Sequence, residues 1–382
     1  MLQWSPKLNF TDQSMFYASY AVGSKAGNVN LVSGVAAAEG VPTSYKPEDL
    51  TSYEVGTKNL LFDGALQANL TGWYYDYKNF QYTVTQYSTL FTSNFNAHMW
   101  GEEGEFIWQP DENWQFNLNV TNSDSSINGG QYAADARNPT AGLTNAVLIK
   151  DTGLSGGDFP GGNCVLMTNN GIDPANDPNV ATYYALQGQS NPFVAPFGTE
   201  AGATSLRSAN PANNIQFANF GTCTANTAAL NSYLHSVGEP ANAYQYASSS
   251  TSPGSSISGI AVPLSGKKVL NLPNNTVSIG DQYTFLVDNY KIVPRVDYYW
   301  QNGYFSRIFN DPTDAVPSWD QLNLQVQLTA PDDQWYARVF ATNVIGTRNV
   351  IGLSPQADTS GVPTYVSTLD PRIIGITLGG KW

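Results

Sequence analysis

Period-two alternation of apolar and polar residues recurs along the chain, and each such run puts its apolar side chains on one face of a strand. Leu322, Leu324, Val326 and Leu328 interleave with Gln321, Asn323, Gln325 and Gln327; Trp114, Phe116, Leu118 and Val120 interleave with Gln115, Asn117, Asn119 and Thr121. Ile374, Ile376, Leu378 and Trp382 alternate with Gly375, Thr377, Gly379 and Lys381 at the C-terminal end. The pattern predicts about eleven strands, near 2–10, 13–24, 51–62, 65–83, 95–109, 113–125, 274–287, 289–305, 318–330, 334–345 and 368–382. Tight turns join some of them (Phe62-Asp63-Gly64, Pro110-Asp111-Glu112-Asn113, Asp288-Asn289, Pro331-Asp332-Asp333). The alternate connections are long, at 25–50, 84–94, 126–272, 306–317 and 345–367. Short and long connections taking turns is the asymmetry of an antiparallel transmembrane β-barrel, with short periplasmic turns and long extracellular loops.

Composition separates this reading from a soluble sandwich, whose wet face would be rich in Lys and Glu. Charged residues are 12 % and aromatics 13 % of 382 residues, and the polar strand positions are Gln, Asn, Thr and Gly. No segment has the roughly 20 unbroken apolar residues of a spanning helix. A net charge of −13 argues against nucleic acid as a partner, because phosphate recognition needs clustered cations. Met1 opens directly into a strand pattern with no export signal, so the sequence is expected to lack the N-terminus of an exported protein.

Five segments carry a resemblance to the C-terminal barrel half of TonB-dependent receptors. They are Ser14–Tyr20 with Gly23–Gly27, Ser52–Lys58, Leu61–Gly64 leading into Tyr74–Phe80, Gly101–Pro110, and Trp335–Val344. The resemblance implies a 22-stranded barrel in the Gram-negative outer membrane, in contact with its lipid, and a plug domain and energising-protein motif without counterpart here. It implies that the chain is a fragment, since eleven strands would leave two open edges in lipid. It also implies that Gly375, Ile376, Leu378 and Trp382 belong to the terminal-strand signal read by the outer-membrane assembly machinery. In strand 101–109, Glu103 and Glu105 fall on the lumen side, Phe106 and Trp108 on the lipid side. Glu102 shares the lipid-facing parity and leaves the local register open.

Residues 126–272 far exceed the roughly 12–15 residues of ordinary structureless loops and are expected to be functional. They hold both cysteines, Cys164 and Cys223. In an exported protein a disulfide between them is expected, two buried thiols being the alternative. Tyr132, Arg137, Phe159, Arg207 and Tyr244 are the loop side chains able to contact a small-molecule or metal-chelate ligand; self-packing of the loop would use the same residues. The remaining motifs carry no chemistry. Asn169–Asp177 departs from the EF-hand order and reads as an Asx/Pro turn cluster, and Gly156–Gly162 lacks the context of a phosphate loop. His98 and His235 have no second histidine at metal spacing, and no serine sits in a nucleophile elbow. The expectation is therefore not an enzyme, with no cofactor, but a segment of a receptor importing a bulky scarce nutrient: siderophore-bound iron, haem, cobalamin or oligosaccharide. A TonB-type energising protein is its implied partner. A passive porin-like channel and a surface adhesin displaying the 126–272 loop are the alternatives.

Overall fold

A computed structural model of the chain describes residues 2–11, 13–31, 42–86, 89–151, 163–189, 191–193, 215–218, 227–248, 259–355 and 364–381. One antiparallel sheet dominates it. Strand β1 is Leu2–Trp4 continued by Lys7–Thr11, and both pieces pair with β2, Ser14–Lys25. There follow β3 (Glu48–Leu61), β4 (Leu66–Gln86), β5 (Thr89–Trp108) and β6 (Trp114–Ile127). Then come β7 (Asn275–Tyr283 continued by Phe285–Val287) and β8 (Tyr290–Gln301). The last are β9 (Trp319–Thr329), β10 (Trp335–Thr342) and β11 (Ile373–Gly380). Each strand pairs with its neighbour in chain order, a pure meander whose described edges are β1 and β11.

The register gathers the alternating residues into rows. Phe106, Leu118, Ile279, Tyr298 and Leu322 are cross-strand neighbours on one face; one residue along, Glu105, Asn119, Ser278, Tyr299 and Gln321 line the other. The short turns have the chemistry their geometry needs. Asp288 and Asn289 sit at φ 47° and 69°, the left-handed pair that a two-residue hairpin requires. On the polar face four large rings stand directly opposite a glycine: Tyr17 and Gly56, Trp73 and Gly101, Tyr336 and Gly379, Phe340 and Gly375. A Cβ on Gly56, Gly101, Gly379 or Gly375 would come within 2.3–2.6 Å of the facing ring. The missing side chain is what lets each ring lie flat on the wall.

Several predicted boundaries are corrected. The connection read at 84–94 is strand: β4 and β5 pair out to Gln86 and Thr89. A register shift between Tyr77 and Phe80, with Asn79 at φ 55°, breaks the alternation there and hid the continuation. The strand read to 305 ends at Gln301, and Tyr304–Phe305 pairs instead with Ala315–Val316 in a small ribbon; a second ribbon, Val350–Pro355 with Thr364–Thr368, occupies the connection read at 345–367. The terminal strand starts at Ile373, not near 368.

The 126–272 connection is not a bare loop. A ribbon of Tyr132–Ala134 with Ala261–Pro263 forms its stem. Beyond the stem, strands Ile215–Ala218, Ala146–Asp151, Asn163–Thr168 and Tyr244–Tyr246 form a four-stranded sheet in that order. Two helices, α1 (Pro178–Leu186) and α2 (Thr227–Ser236), pack with it. Val147, Ile149, Leu166, Val180, Leu230, Leu234 and Tyr244 make a buried core, a small mixed unit in a chain that is mostly β as expected. A second core lies where the insert meets the barrel, with Tyr82 and Phe95 of the β4–β5 extension against Leu264, Val269, Ile308 and Phe309. Among the described residues no helix is long and apolar enough to cross a membrane, which says nothing of strands.

Candidate functional site

The apolar face is bounded by two aromatic rows. Trp4, Tyr20, Tyr53, Tyr74 and Trp100 are successive cross-strand partners on β1 to β5. At the other end Trp108, Trp114, Tyr283 and Phe285 run on with ring centroids 6.4, 6.4 and 4.7 Å apart, and Tyr290 meets Trp335 at 6.2 Å. Eight residues separate Trp100 from Trp108, roughly 26 Å along the strand and about 20 Å across a layer once strands tilt by about 40°. Between the rows stand Val55, Leu70, Phe106, Val120, Val277, Leu324, Val339 and Ile376. Tyr and Trp at two levels flanking an apolar band is how a barrel wall meets the two interfaces of a bilayer. Glu102 does face outward: it pairs with Gly72 and Asn122, one outward position from Trp100.

The polar face carries short hydrogen bonds between strands. The Tyr17 hydroxyl donates to Glu54 Oε1 at 2.6 Å and lies 3.0 Å from Thr71 Oγ1. Trp73 Nε1 donates to Glu103 Oε1 at 3.1 Å, and Arg295 pairs with Asp297 at 2.5 Å. Glu103 and Glu105 share this face, as expected from the sequence. The wall is thus a field of fixed amides, phenols and carboxylates suited to a polar occupant.

At the extracellular end, the side bearing the long connections, an ionic cluster ties the insert to the β8–β9 loop. Arg307 Nη1 and Nη2 donate to the two Asp135 carboxylate oxygens at 2.5 and 3.2 Å, and Nε to Asp314 Oδ1 at 2.7 Å. Asp135 and Asp314 are 2 % and 0 % exposed. Burial works against the Arg307 charge, but the two carboxylates outweigh it and hold the guanidinium above its usual value. Burial and the neighbouring Asp135 and Asp314 push the Asp311 carboxyl up from 3.8.

Around this cluster, neutral amides do the fastening. A single Asn or Gln side chain satisfies both the N–H and the C=O of one backbone residue elsewhere: Asn30 on Thr92, Asn94 on Lys46, Gln131 on Asn96, Asn310 on Lys268. Asn231 does the same for Tyr244 inside the insert. These ten bonds measure 2.6–3.2 Å.

The five loop residues singled out from sequence do not converge. Tyr132 is on the stem and exposed; Arg137 lies 3.9 Å from Asp314, at the border of the ionic cluster. Tyr244 is fully buried, and its hydroxyl donates to Asp177 Oδ2 at 2.7 Å, so it serves the core of the insert rather than an external ligand. Phe159 and Arg207 lie outside the described residues, as do Cys223 and Trp382. Cys164 is buried in the insert core, and no described cysteine is a free thiol. Gly375, Ile376 and Leu378 are on β11, Gly375 under Phe340 and the other two facing outward beside Val339 and Ala337. Sequence reasoning missed the Arg307 cluster and the amide clasps. Both join segments far apart in the chain, and neither has a local signal. Among the described residues no group of His, Cys, Asp and Glu could hold a metal ion.

Residues 2–162 match the family described as TonB dependent receptor-like, beta-barrel. Among curated proteins none matches the sequence. Among solved structures, the chain is similar to the ferric yersiniabactin uptake receptor of Yersinia pestis, with TM-score 0.54, 12 % identity, and coverage of 98 % of this chain and 36 % of that one. It is also similar to the siderophore receptor PiuA of Acinetobacter baumannii (TM-score 0.51, 10 % identity, 98 % and 35 %) and to the ferric preacinetobactin receptor of the same organism (0.50, 11 %, 98 % and 35 %). At such identities these likenesses bear on the fold alone. The chain spans about a third of the length of the receptors it matches.

Proposed function

We propose, from the premise that this chain is part of a TonB-dependent receptor β-barrel in a Gram-negative outer membrane, that it forms one wall of the import path for a bulky, scarce nutrient. The family consists of transporters and not enzymes. The observation that carries the proposal is the pairing of a hydrogen-bonding inner wall with a folded extracellular insert latched over its end. Such a surface can hold a large polar ligand at the cell exterior and offer it a polar route inward. Since the solved receptors of like fold are titled for ferric siderophores, a ferric chelate is the first substrate class to test; haem, cobalamin and oligosaccharide follow. The energising protein of the inner membrane is the proposed partner in transport, and the assembly machinery is the proposed reader of the β11 strand through Gly375, Ile376, Leu378 and Trp382. Tyr132 and Arg137, with Phe159 and Arg207, are the proposed ligand contacts, and Cys164–Cys223 the proposed disulfide.

Growth of a strain deleted for the receptor, on defined iron and carbon sources, tests the reading. A defect restricted to one nutrient form, restored by the gene and abolished by a protonophore in uptake assays, supports energised import. Uptake indifferent to the protonophore would replace it with a passive channel. A second reading rests on the insert having its own core: a surface adhesin, which predicts that excising the insert removes surface attachment and leaves uptake intact.

A further inference from the structure

The chain holds three Asn-Gly pairs, Asn128-Gly129, Asn170-Gly171 and Asn302-Gly303. Such a pair is chemically labile: glycine has no Cβ to shield its nitrogen from the neighbouring carboxamide, and its backbone reaches the conformations that ring closure needs. The fold restrains two of them. The Gly171 N–H donates to Thr168 O at 3.0 Å, which ties up the attacking nitrogen, while Asn170 Nδ2 donates to Glu239 Oε2 at 2.7 Å. Gly303 is wedged against backbone, where a Cβ would lie 2.7 Å from Val316 O and 3.3 Å from Ser318 N. Asn302 is tied twice to Asn275, its N–H to the main-chain carbonyl at 2.9 Å and its Oδ1 to the side-chain amide at 3.1 Å. Asn128-Gly129 has neither restraint. Gly129 is exposed, its N–H meets no partner among the described residues, and a Cβ on it would find nothing nearer than Ser265 Oγ at 3.9 Å. Asn128 Oδ1 lies 2.9 Å from His98 Nδ1, and since a carboxamide oxygen only accepts, the ring nitrogen carries the proton.

We propose that Asn128-Gly129 is a self-modification site, where His98 assists conversion of the carboxamide to a carboxylate. Solvent hydroxide takes the Gly129 N–H proton, and the nitrogen attacks Asn128 Cγ. The new N–C bond pushes an electron pair onto Oδ1, to which His98 Nδ1–H already donates; a donor placed on a developing oxyanion lowers such a barrier. The Cγ–Nδ2 bond then breaks, Nδ2 takes a proton from water, and ammonia departs to leave a five-membered succinimide. Water opens that ring at Cγ to give aspartate, or at the Asn128 main-chain carbonyl to give isoaspartate. In isoaspartate the main chain runs through Cβ and Cγ and is one atom longer. The extra atom enters between two pinned points of the insert stem, since Ile127 O accepts the Gly266 N–H and Gln131 O accepts the Leu264 N–H, each at 2.9 Å. The root of the insert thereby gains slack with no ligand or partner involved.

Peptide mapping by mass spectrometry of the full-length folded receptor, held at neutral pH in heavy-oxygen water, tests this. Asn128 is expected to take up the label about ten-fold faster than Asn170 or Asn302 in the same molecules, the rate factor that one hydrogen bond's worth of barrier gives. In the urea-unfolded chain the three pairs should convert at like rates. Gly129→Ala, for which the surroundings have room, should slow Asn128 about ten-fold by shielding the nitrogen. His98→Phe keeps a ring beside Tyr74, 6.2 Å away, and removes the donor. It should slow Asn128 at least about three-fold and leave the other two pairs unchanged. No conversion at Asn128, equal rates at the three pairs in the folded protein, a preference for Asn128 that persists in urea, or conversion at the wild-type rate in His98→Phe would each overturn the proposal.

Discussion

Replacing Arg307 by Met removes one cation and strands two carboxylates. Asp135 and Asp314 are both nearly inaccessible to water, and between them they accept three charge-assisted hydrogen bonds from the guanidinium. Breaking a buried pair from one side costs about 3–5 kcal/mol, because the partner's charge stays buried without compensation. Arg137, 3.9 Å from Asp314, can offset part of that for one carboxylate and not for the other. At about 1.4 kcal/mol per power of ten, the insert stem and the β8–β9 loop should open roughly two to four powers of ten more often. Amide hydrogen exchange reads this directly at Ser306, whose N–H is bonded to Asp314, and at Ile260, whose N–H is bonded to Pro139. Both should lose protection in Arg307→Met, while amides in the middle of β6 and β7 hold. Adding Asp135→Asn should return part of the protection, since it removes one stranded charge. Lowering the pH should narrow the gap between variant and wild type, because the stranded carboxylates can then protonate. Unchanged exchange at Ser306 and Ile260 in the single variant would refute the assignment of the cluster as the latch.

Gly375→Val should force Phe340 off the wall and, at an overpacking cost of about 1–3 kcal/mol, lower the yield of heat-resistant folded barrel on an unheated gel; Gly56→Val should do likewise and also break the Tyr17–Glu54 bond. Tyr244→Phe leaves Asp177 short of a donor in a buried place and should destabilise the insert by about 1–3 kcal/mol, seen as earlier proteolysis there with the barrel intact. Asp311 has a folded pKa above its unfolded 3.8, so its contribution to latch stability is complete below that pH and is lost as pH rises through the folded value. Asp311→Asn should therefore flatten the pH dependence of Ser306 protection as pH rises above 3.8, and an unchanged slope would count against the shift.

Strand count, order and facing were legible because a half-buried strand imposes its period on every residue. All eleven sheet strands fall where the alternation put them, and even the awkward Glu102 keeps the parity of its strand. What failed to show was structure without a period. At Asn79 the bulge adds a residue and flips the facing, so β4 and β5 look finished when they continue. In the insert, strands of three to six residues are too short for alternation to stand out. Asp177-Pro178 was open to a better reading: Asp177 accepts from the Asn179 N–H and Pro178 opens α1, the pairing of cap and first-turn proline that starts helices. The latch was out of reach, for Asp135 and Arg307 are 172 residues apart in the chain, and only the folded sheet brings them together.

The amide clasps have a consequence for how the cell surface end of this protein meets its surroundings. Salt screens charges, and acid titrates them, but a carboxamide carries no charge and gains or loses no proton in that range. Where the loops are held by these clasps, the fastening groups are blind to brine, fresh water or mild acidity, unlike the Arg307 cluster and the Lys268–Asp124 pair. The same choice starts a chemical clock. Asparagine is among the thermolabile residues, and hydrolysis of its amide turns the donor nitrogen into a second acceptor oxygen. At Asn30, Asn94 or Asn310 that oxygen would face a backbone carbonyl, so an ageing molecule would release its loops one clasp at a time.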